Sequence, residues 1–417
     1  MKRVLMVAFH FPPMAGSSGI QRTLRFVQQL PQLGWEPLIL SAHPRAYERT
    51  GTDLIAELPP GLVVRRAQVL DTARHLSLGG RYLAALARPD RWMSWQWDAV
   101  RQGLAMVRRY RPDALWTTYP IATAHAIGHA LHLRTGLPWV ADFRDPMAQD
   151  GYPEDPQVWA AYKRIEVSAA RAASACCFTT PSAAHTYRQR YPDRADRMIV
   201  VENGYDEGAF HRAEAALAER SPLSPGCLTL LHSGIVYPAE RDPRPLFQAL
   251  GALRQSHPAL AARLRLRFRA AVSEEMLIGL RNQHGVQDLV EILPPLPYTE
   301  ALAEMLLADG LLVMQASNCN EQVPAKVYEY LRARRPIIAL TDAAGDTWNV
   351  LQRAGIGPMA ALDDPTAIVG LLVDFLQQRP LGWLPHDAAV QGASRLARTA
   401  QLARLLEGCL PRDGVPA

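Results

Sequence analysis

The sequence predicts an α/β protein built as two doubly wound domains, each a parallel sheet between layers of helix. Three observations predict it. Short apolar runs alternate with stretches of helical periodicity nearly from end to end, the pattern of strand–helix–strand units. Many of these runs lack polar alternation, as strands buried on both faces do. The 417 residues suit two domains, each large enough to bury its own core.

Residues 4–9 (VLMVAF) are the first expected strand. Lys2 and Arg3 precede it, but the run is too short for an export signal and ends in His10 and two prolines. Residues 10–30 form a Pro/Gly/Ser loop, with Gly16 and Ser17, opening onto a helix whose Ile20, Leu24, Val27 and Leu30 share one face. Residues 37–41 give the second strand, and residues 43–90, rich in Arg and Pro, are assigned only loosely. Trp92, Trp95 and Trp97 lead a helix to about residue 110. This cluster has two readings: core packing, or an exposed face for a membrane or an acceptor lipid.

Residues 114–118 are a strand, followed by a loop and a helix carrying His125. Residues 138–143 are the next strand, and Arg144 and Asp145 stand at its carboxyl end, where ligands bind in open α/β sheets. An internal Arg–Asp pair that ties down the loop is the equal alternative. For His125 a satisfied helix-surface histidine stands beside a catalytic one. Helix 157–173, strand 175–180, helix 182–191 and strand 198–201 complete the first domain, expected over residues 1–205.

Residues 206–226 are the expected linker and 227–385 the second domain. Its first strand is 228–231; Gly234 follows, and a helix starts near Pro243. Residues 263–270 (RLRLRFRA) alternate strictly, which fits an edge strand guarded by charge or a phosphate-binding stripe. Strand 289–293, helix 298–308 and strand 310–315 come next. In residues 320–340 (NEQVPAKVYEYLRARRPIIAL), Pro324 is expected at the first helical position, where its missing N–H costs nothing. Residues 337–340 then form a buried strand, and helices near 346–354 and 365–378 close the domain. Residues 386–417 hold one last amphipathic helix, 388–406.

Composition narrows the function. Hydrophobic residues make up 48% and charged residues 20%, a globular balance, and the net charge is only +5 with basic residues dispersed. A nucleic-acid footprint is therefore not expected. Five cysteines without zinc spacing read as free thiols of a reducing compartment, so the cytoplasm is expected, with a peripheral place at the inner membrane face left open. Neither G-x-G-x-x-G nor a Walker loop follows the first strand, which argues against dehydrogenase and NTPase readings.

Loops meet helix N-termini at residues 16–19, 234–242 and 320–326. Such places suit phosphate, so a cleft between the domains that grips a diphosphate is the expectation. No D-x-D pair occurs, so no metal and no cofactor are expected, and amides, Lys326 and Arg241 must meet the charge. Lys326 is one of only three lysines, with Lys2 and Lys163.

The run from Glu321 to Glu329, with PAKVYEYL and then PIIAL, resembles the E-x7-E segment of family 4 glycosyltransferases of the GT-B fold. FHFPPMAGSSGIQR, ADFRDP and VENGYDEGAF are similar to three further landmarks of that family, and the last helix resembles one that crosses back onto the N-terminal domain. The resemblance implies a retaining, metal-independent transfer of a sugar from a UDP- or GDP-sugar to a sugar or lipid-linked acceptor. It implies Glu329 at the donor's ribose, Glu321 by the transferred sugar, Arg241 and Lys326 at the diphosphate, and Gly16 and Ser17 near the donor phosphate. Many relatives carry Arg directly after the glycine matching Gly234; here Ile235 stands there and Arg241 comes later, which gives Lys326 the open role. A nucleotide-sugar epimerase and a non-catalytic nucleotide-sugar-binding subunit remain open beside the transferase.

Overall fold

The computed structural model describes residues 1–17, 19–217, 221–378 and 382–411, so part of the expected linker and the last residues of the chain lie outside it. The chain divides into two compact units, one of residues 1–202 with the C-terminal segment from Arg395, the other Asn203–Ser394.

Unit 1 holds seven parallel strands: β1 Lys2–Val7, β2 Trp35–Ala42, β3 Val63–Ala67, β4 Ala114–Thr118, β5 Trp139–Arg144, β6 Ala175–Phe178 and β7 Met198–Val200. Their order is β3-β2-β1-β4-β5-β6-β7. Unit 2 holds β8 Leu228–Ser233, β9 Leu264–Arg269, β10 Val290–Leu293, β11 Gly310–Met314, β12 Ile337–Leu340 and β13 Met359–Ala360, ordered β10-β9-β8-β11-β12-β13. Each order reverses once, between β1 and β4 and between β8 and β11. At such a reversal the loops leave toward opposite faces and open a crevice at the strands' carboxyl ends.

The apolar runs become strands because both sheet faces are covered. In β1, Leu5 and Val7 join one core while Val4 and Met6 join the other. In β11, Leu312 and Met314 face one side and Leu311 and Val313 the other. Successive side chains point to opposite faces, so a strand with two covers must be apolar throughout. Each fully buried Leu or Val contributes about 1.5–3 kcal/mol relative to exposure. In unit 1, Leu402 and Leu406 of helix Arg395–Cys409 pack with Phe26, Val27 and Trp116 over one face of the sheet.

Several expectations change. The stretch 263–270 is neither an edge nor a solvated stripe, because β9 runs between β8 and β10. Two of its four arginines are paired inside: Arg269 donates to Glu304 at 2.6 and 2.8 Å, and Arg267 donates to Glu304 at 2.9 Å and to Glu291 at 2.7 Å. Burial alone would raise the Glu304 carboxyl, but the two arginines hold it below the usual carboxylate range.

The expected linker contains helix Glu207–Ala215, whose Phe210 is fully buried in the unit 2 core. The last helix is two, Asp387–Gly392 and Arg395–Cys409, interrupted where Ser394 pairs with Tyr205. Residues 43–90 contain β3 and a short helix, Thr72–His75. Among the described residues, no helix is long and apolar enough to cross a membrane.

Candidate functional site

In unit 2 the site grows from the ends of β8 and β11. After Ser233 the chain turns at Gly234 with φ 110°, a conformation that side chains with a Cβ rarely adopt. A Cβ added there would lie 3.1 Å from Lys326 Nζ, so the glycine also leaves room for the ammonium. Arg241, which comes late in sequence, folds back: its Nη1 donates to the Ile235 carbonyl at 2.7 Å and its guanidinium lies over the Tyr237 ring. Arg241 thus lies against the Ile235 backbone although six positions separate them in sequence.

Lys326 Nζ donates to His232 Nε2 at 3.1 Å. His232, fully buried in β8, uses Nδ1 against the Leu312 carbonyl at 3.0 Å, so that nitrogen carries the proton and Nε2 is free to accept. Burial, then Lys326, hold His232 well below its ordinary value, so it is neutral. Burial, then Arg241, lower Lys326 to about 7, with Glu329 pulling the other way.

Helix Lys326–Ala333 begins after Ala325, and no side chain caps it. Pro324 is therefore not the first helical residue as expected; it lies two residues upstream, in the turn where its carbonyl accepts from Val327 N at 3.0 Å. The uncapped first-turn amides present partial positive charge at the helix start. Glu329, in the first turn, accepts from Tyr298 Oη at 2.8 Å. Next to it, Tyr330 Oη accepts from Ser233 N at 2.9 Å and ties the helix to the end of β8.

Glu321 lies exposed in the turn before the helix. Gln315 braces that turn, donating to the carbonyls of Cys319 (2.6 Å) and Gln322 (3.0 Å). The loop after β11 is bound to the loop after β8 by Ala316 N on the Glu240 carbonyl and Asn318 Nδ2 on the Ala239 carbonyl. Between these loops and the ends of β12 and β13 opens a cavity of 670 Å³ with Asp242, Arg244, Asn318 and Asp342 among its lining.

In unit 1 the residues gather at the ends of β1, β4 and β5. Gly16 has φ 79°, and Ser17 Oγ accepts from Gly19 N at 3.2 Å and lies 3.4 Å from His10 Nδ1. A Cβ on Gly19 would come within 2.6 Å of His10 Nδ1 and 3.3 Å of Arg144 Nη1. The glycine is what allows this crowding. Burial, then Arg144, depress His10 to about 4.

Arg144 has φ 66° and donates to the Tyr119 carbonyl at 3.3 Å; burial, then Arg22, lower it. Protein crowded around Asp145 raises its carboxyl, opposed by Arg144 and by the Thr179 hydroxyl at 3.3 Å. The internal Arg–Asp pair is a different one. Arg22 donates to both Asp142 oxygens at 2.9 and 3.0 Å, and to the carbonyls of Val201 and Glu202. Thr118 completes the set on Asp142 at 3.0 Å.

His125 does not join this cluster. It is fully buried, shares a 2.7 Å hydrogen bond with Thr117 and packs on Phe143, and burial holds it at about 3. A ring so enclosed cannot meet a substrate, so the candidate catalytic role is corrected to a core role; nor is it on the helix surface. Sequence reasoning missed His10, Arg22 and His232. His10 and Arg22 flank the glycine loop and His232 precedes Gly234 by two residues, which is the signal that was there.

Residues 18–204 match the model of the glycosyl transferase 4-like domain. No curated protein sequence matches the chain. Solved structures match almost throughout. The sucrose-phosphate synthase of Thermosynechococcus elongatus is 16% identical with a TM-score of 0.64, over 98% of this chain and 99% of that one. Anabaena HepE in complex with UDP is 14% identical with a TM-score of 0.65, over 98% and 100%. The α,α-trehalose 6-phosphate synthase of Burkholderia multivorans is 12% identical with a TM-score of 0.66, over 98% and 99%. At such identities these likenesses speak for the fold, two doubly wound units of the GT-B kind.

The fold is of the GT-B kind, and residues 18–204 carry the matched glycosyl transferase 4-like domain.

Proposed function

We propose that the chain transfers a hexosyl or N-acetylhexosaminyl group from a UDP- or GDP-sugar to a growing polysaccharide, glycolipid or related acceptor, with retention and without metal. The observation that carries this reading is Lys326: a partly buried ammonium beneath the Gly234 turn, at an uncapped helix start, with Arg241 close enough to lower it. Two cations and a row of amides are what a diphosphate needs, and a carboxylate one turn along, Glu329, suits ribose hydroxyls. The binding of UDP by HepE, which shares the fold, supports the same donor class.

In the proposed step the anomeric carbon's bond to the diphosphate oxygen breaks and its bond to the acceptor oxygen forms on the same face. The acceptor proton passes to the leaving phosphate. Lys326 and Arg241 stabilise the charge that develops on the leaving group, and Glu321 holds sugar hydroxyls. In unit 1, Arg144, Asp145 and His10, with Gly16 and Ser17, are the proposed polar lining of that unit's own crevice at the ends of β1, β4 and β5. Here the protein supplies position and fixed charge. A thermal-shift screen against UDP-, GDP-, ADP- and dTDP-sugars tests the donor class. A ligand at a hundred times its Kd adds about 2.7 kcal/mol to stability, and a shift with none of them overturns the reading.

A further inference from the structure

Unit 1 carries an apolar surface that the transfer reaction does not use. Leu78 is 90% exposed and Leu83 73%, with Leu76, Tyr82 and Leu86 also exposed in the same short segment; Trp97, 77% exposed, lies in the first turn of the helix that follows. Single exposed leucines are ordinary, but five large apolar residues within 76–86 are a patch.

The backbone holds them outward. Leu78 and Arg81 pair in an isolated bridge across Gly79 and Gly80, both at positive φ, so the chain turns tightly at the tip. The base is anchored: Thr72 N donates to the Arg91 carbonyl and Thr72 Oγ1 to the Leu86 carbonyl. Asp90 accepts from Thr123 N and Oγ1 at 2.9 Å, and Arg74 donates to the Tyr47 carbonyl at 2.8 Å. Trp92 and Trp95 turn inward onto Phe9, which leaves Trp97 as the outward ring.

Charge selects the occupant. Between Thr72 and Pro89 the sequence holds Arg74, Arg81 and Arg88 and no Asp or Glu. A stable protein interface buries about 800 Å² on each partner. Apolar side chains on a projecting turn flanked by arginines fit a bilayer instead, with leucines and aromatic rings at acyl and headgroup depth and guanidinium groups at phosphates. We propose that residues 76–86, with Trp97, dock the protein on an anionic phospholipid surface. The proposal stands apart from the donor reading, since it uses none of the same residues.

Co-sedimentation of the full chain with vesicles tests it. Vesicles of phosphatidylcholine and phosphatidylglycerol in equal parts are expected to carry the protein down, pure phosphatidylcholine much less, and added salt to release it. The variant Leu78→Asp/Leu83→Asp is expected to lose about tenfold or more in vesicle binding. Its melting temperature should hold, because both side chains are exposed. Absence of wild-type binding to the mixed vesicles overturns the proposal, as does equal binding by the variant. Self-association in light scattering that the same variant abolishes, without vesicle binding, assigns the patch to a second copy and equally overturns it.

Discussion

Lys326 and His232 share one hydrogen bond, Nζ to Nε2 at 3.1 Å, between a helix start and a buried strand end. The imidazole is neutral and can only accept there, so the pair holds an ammonium whose proton is lost near pH 7.

Donor binding should therefore depend on pH. A dianionic diphosphate favours protonated Lys326, so affinity should fall by about tenfold per pH unit above 7, until the bound-state value is reached. Binding at pH 8 should take up a proton, read by calorimetry in two buffers of different ionisation enthalpy. The sign for stability is opposite. The folded value lies below the ordinary one, so between about 7 and the ordinary lysine range the unfolded chain binds the extra proton, and this group makes stability rise with pH. Lys326→Met should remove both effects.

Glu329→Ala should weaken UDP- or GDP-sugar binding by about tenfold to a hundredfold, the range of hydrogen bonds to a charged group. Tyr298→Phe should have a smaller effect in the same direction, since Tyr298 holds one carboxylate oxygen in place. Titration calorimetry with the free nucleotide reads both.

Gly234→Ala places a Cβ at φ 110° and 3.1 Å from Lys326 Nζ. A backbone so constrained costs about 1–3 kcal/mol, and donor affinity should drop with it. Denaturant midpoints and nucleotide titrations on one preparation separate the two losses.

Arg22→Ala leaves the Asp142 carboxylate buried without its partner. Breaking such a pair costs about 3–5 kcal/mol, so a large fall in the urea midpoint is expected, whereas Asp142→Asn should cost less because Thr118 still has an acceptor.

The strands were legible because burial on both faces leaves a mark that needs no tertiary knowledge. Residues 114–118 and 337–340 coincide with β4 and β12. Where a mark had two causes, the reading slipped. Arginines alternating along 263–270 look solvated in sequence, and only the fold reveals Glu304 arriving from helix Tyr298–Leu307 to bury two of them. Pro324 is as suited to a turn as to a first helical turn. At the candidate site, Lys326, Arg241 and Gly234 were found through spacing and context, but His232 was not, because a histidine inside a strand carries no local sign of what it will touch. His125 shows the reverse: a loop-adjacent histidine that the helix carries into the core.

The most direct measurement is calorimetric titration of UDP and GDP into the wild-type chain and into Lys326→Ala and Glu329→Ala, each checked for an unchanged circular dichroism spectrum. Wild type should bind one of the two nucleotides and the variants should lose most of that affinity. Equal binding by all three proteins contradicts the placement of the donor at Gly234, Lys326 and Glu329.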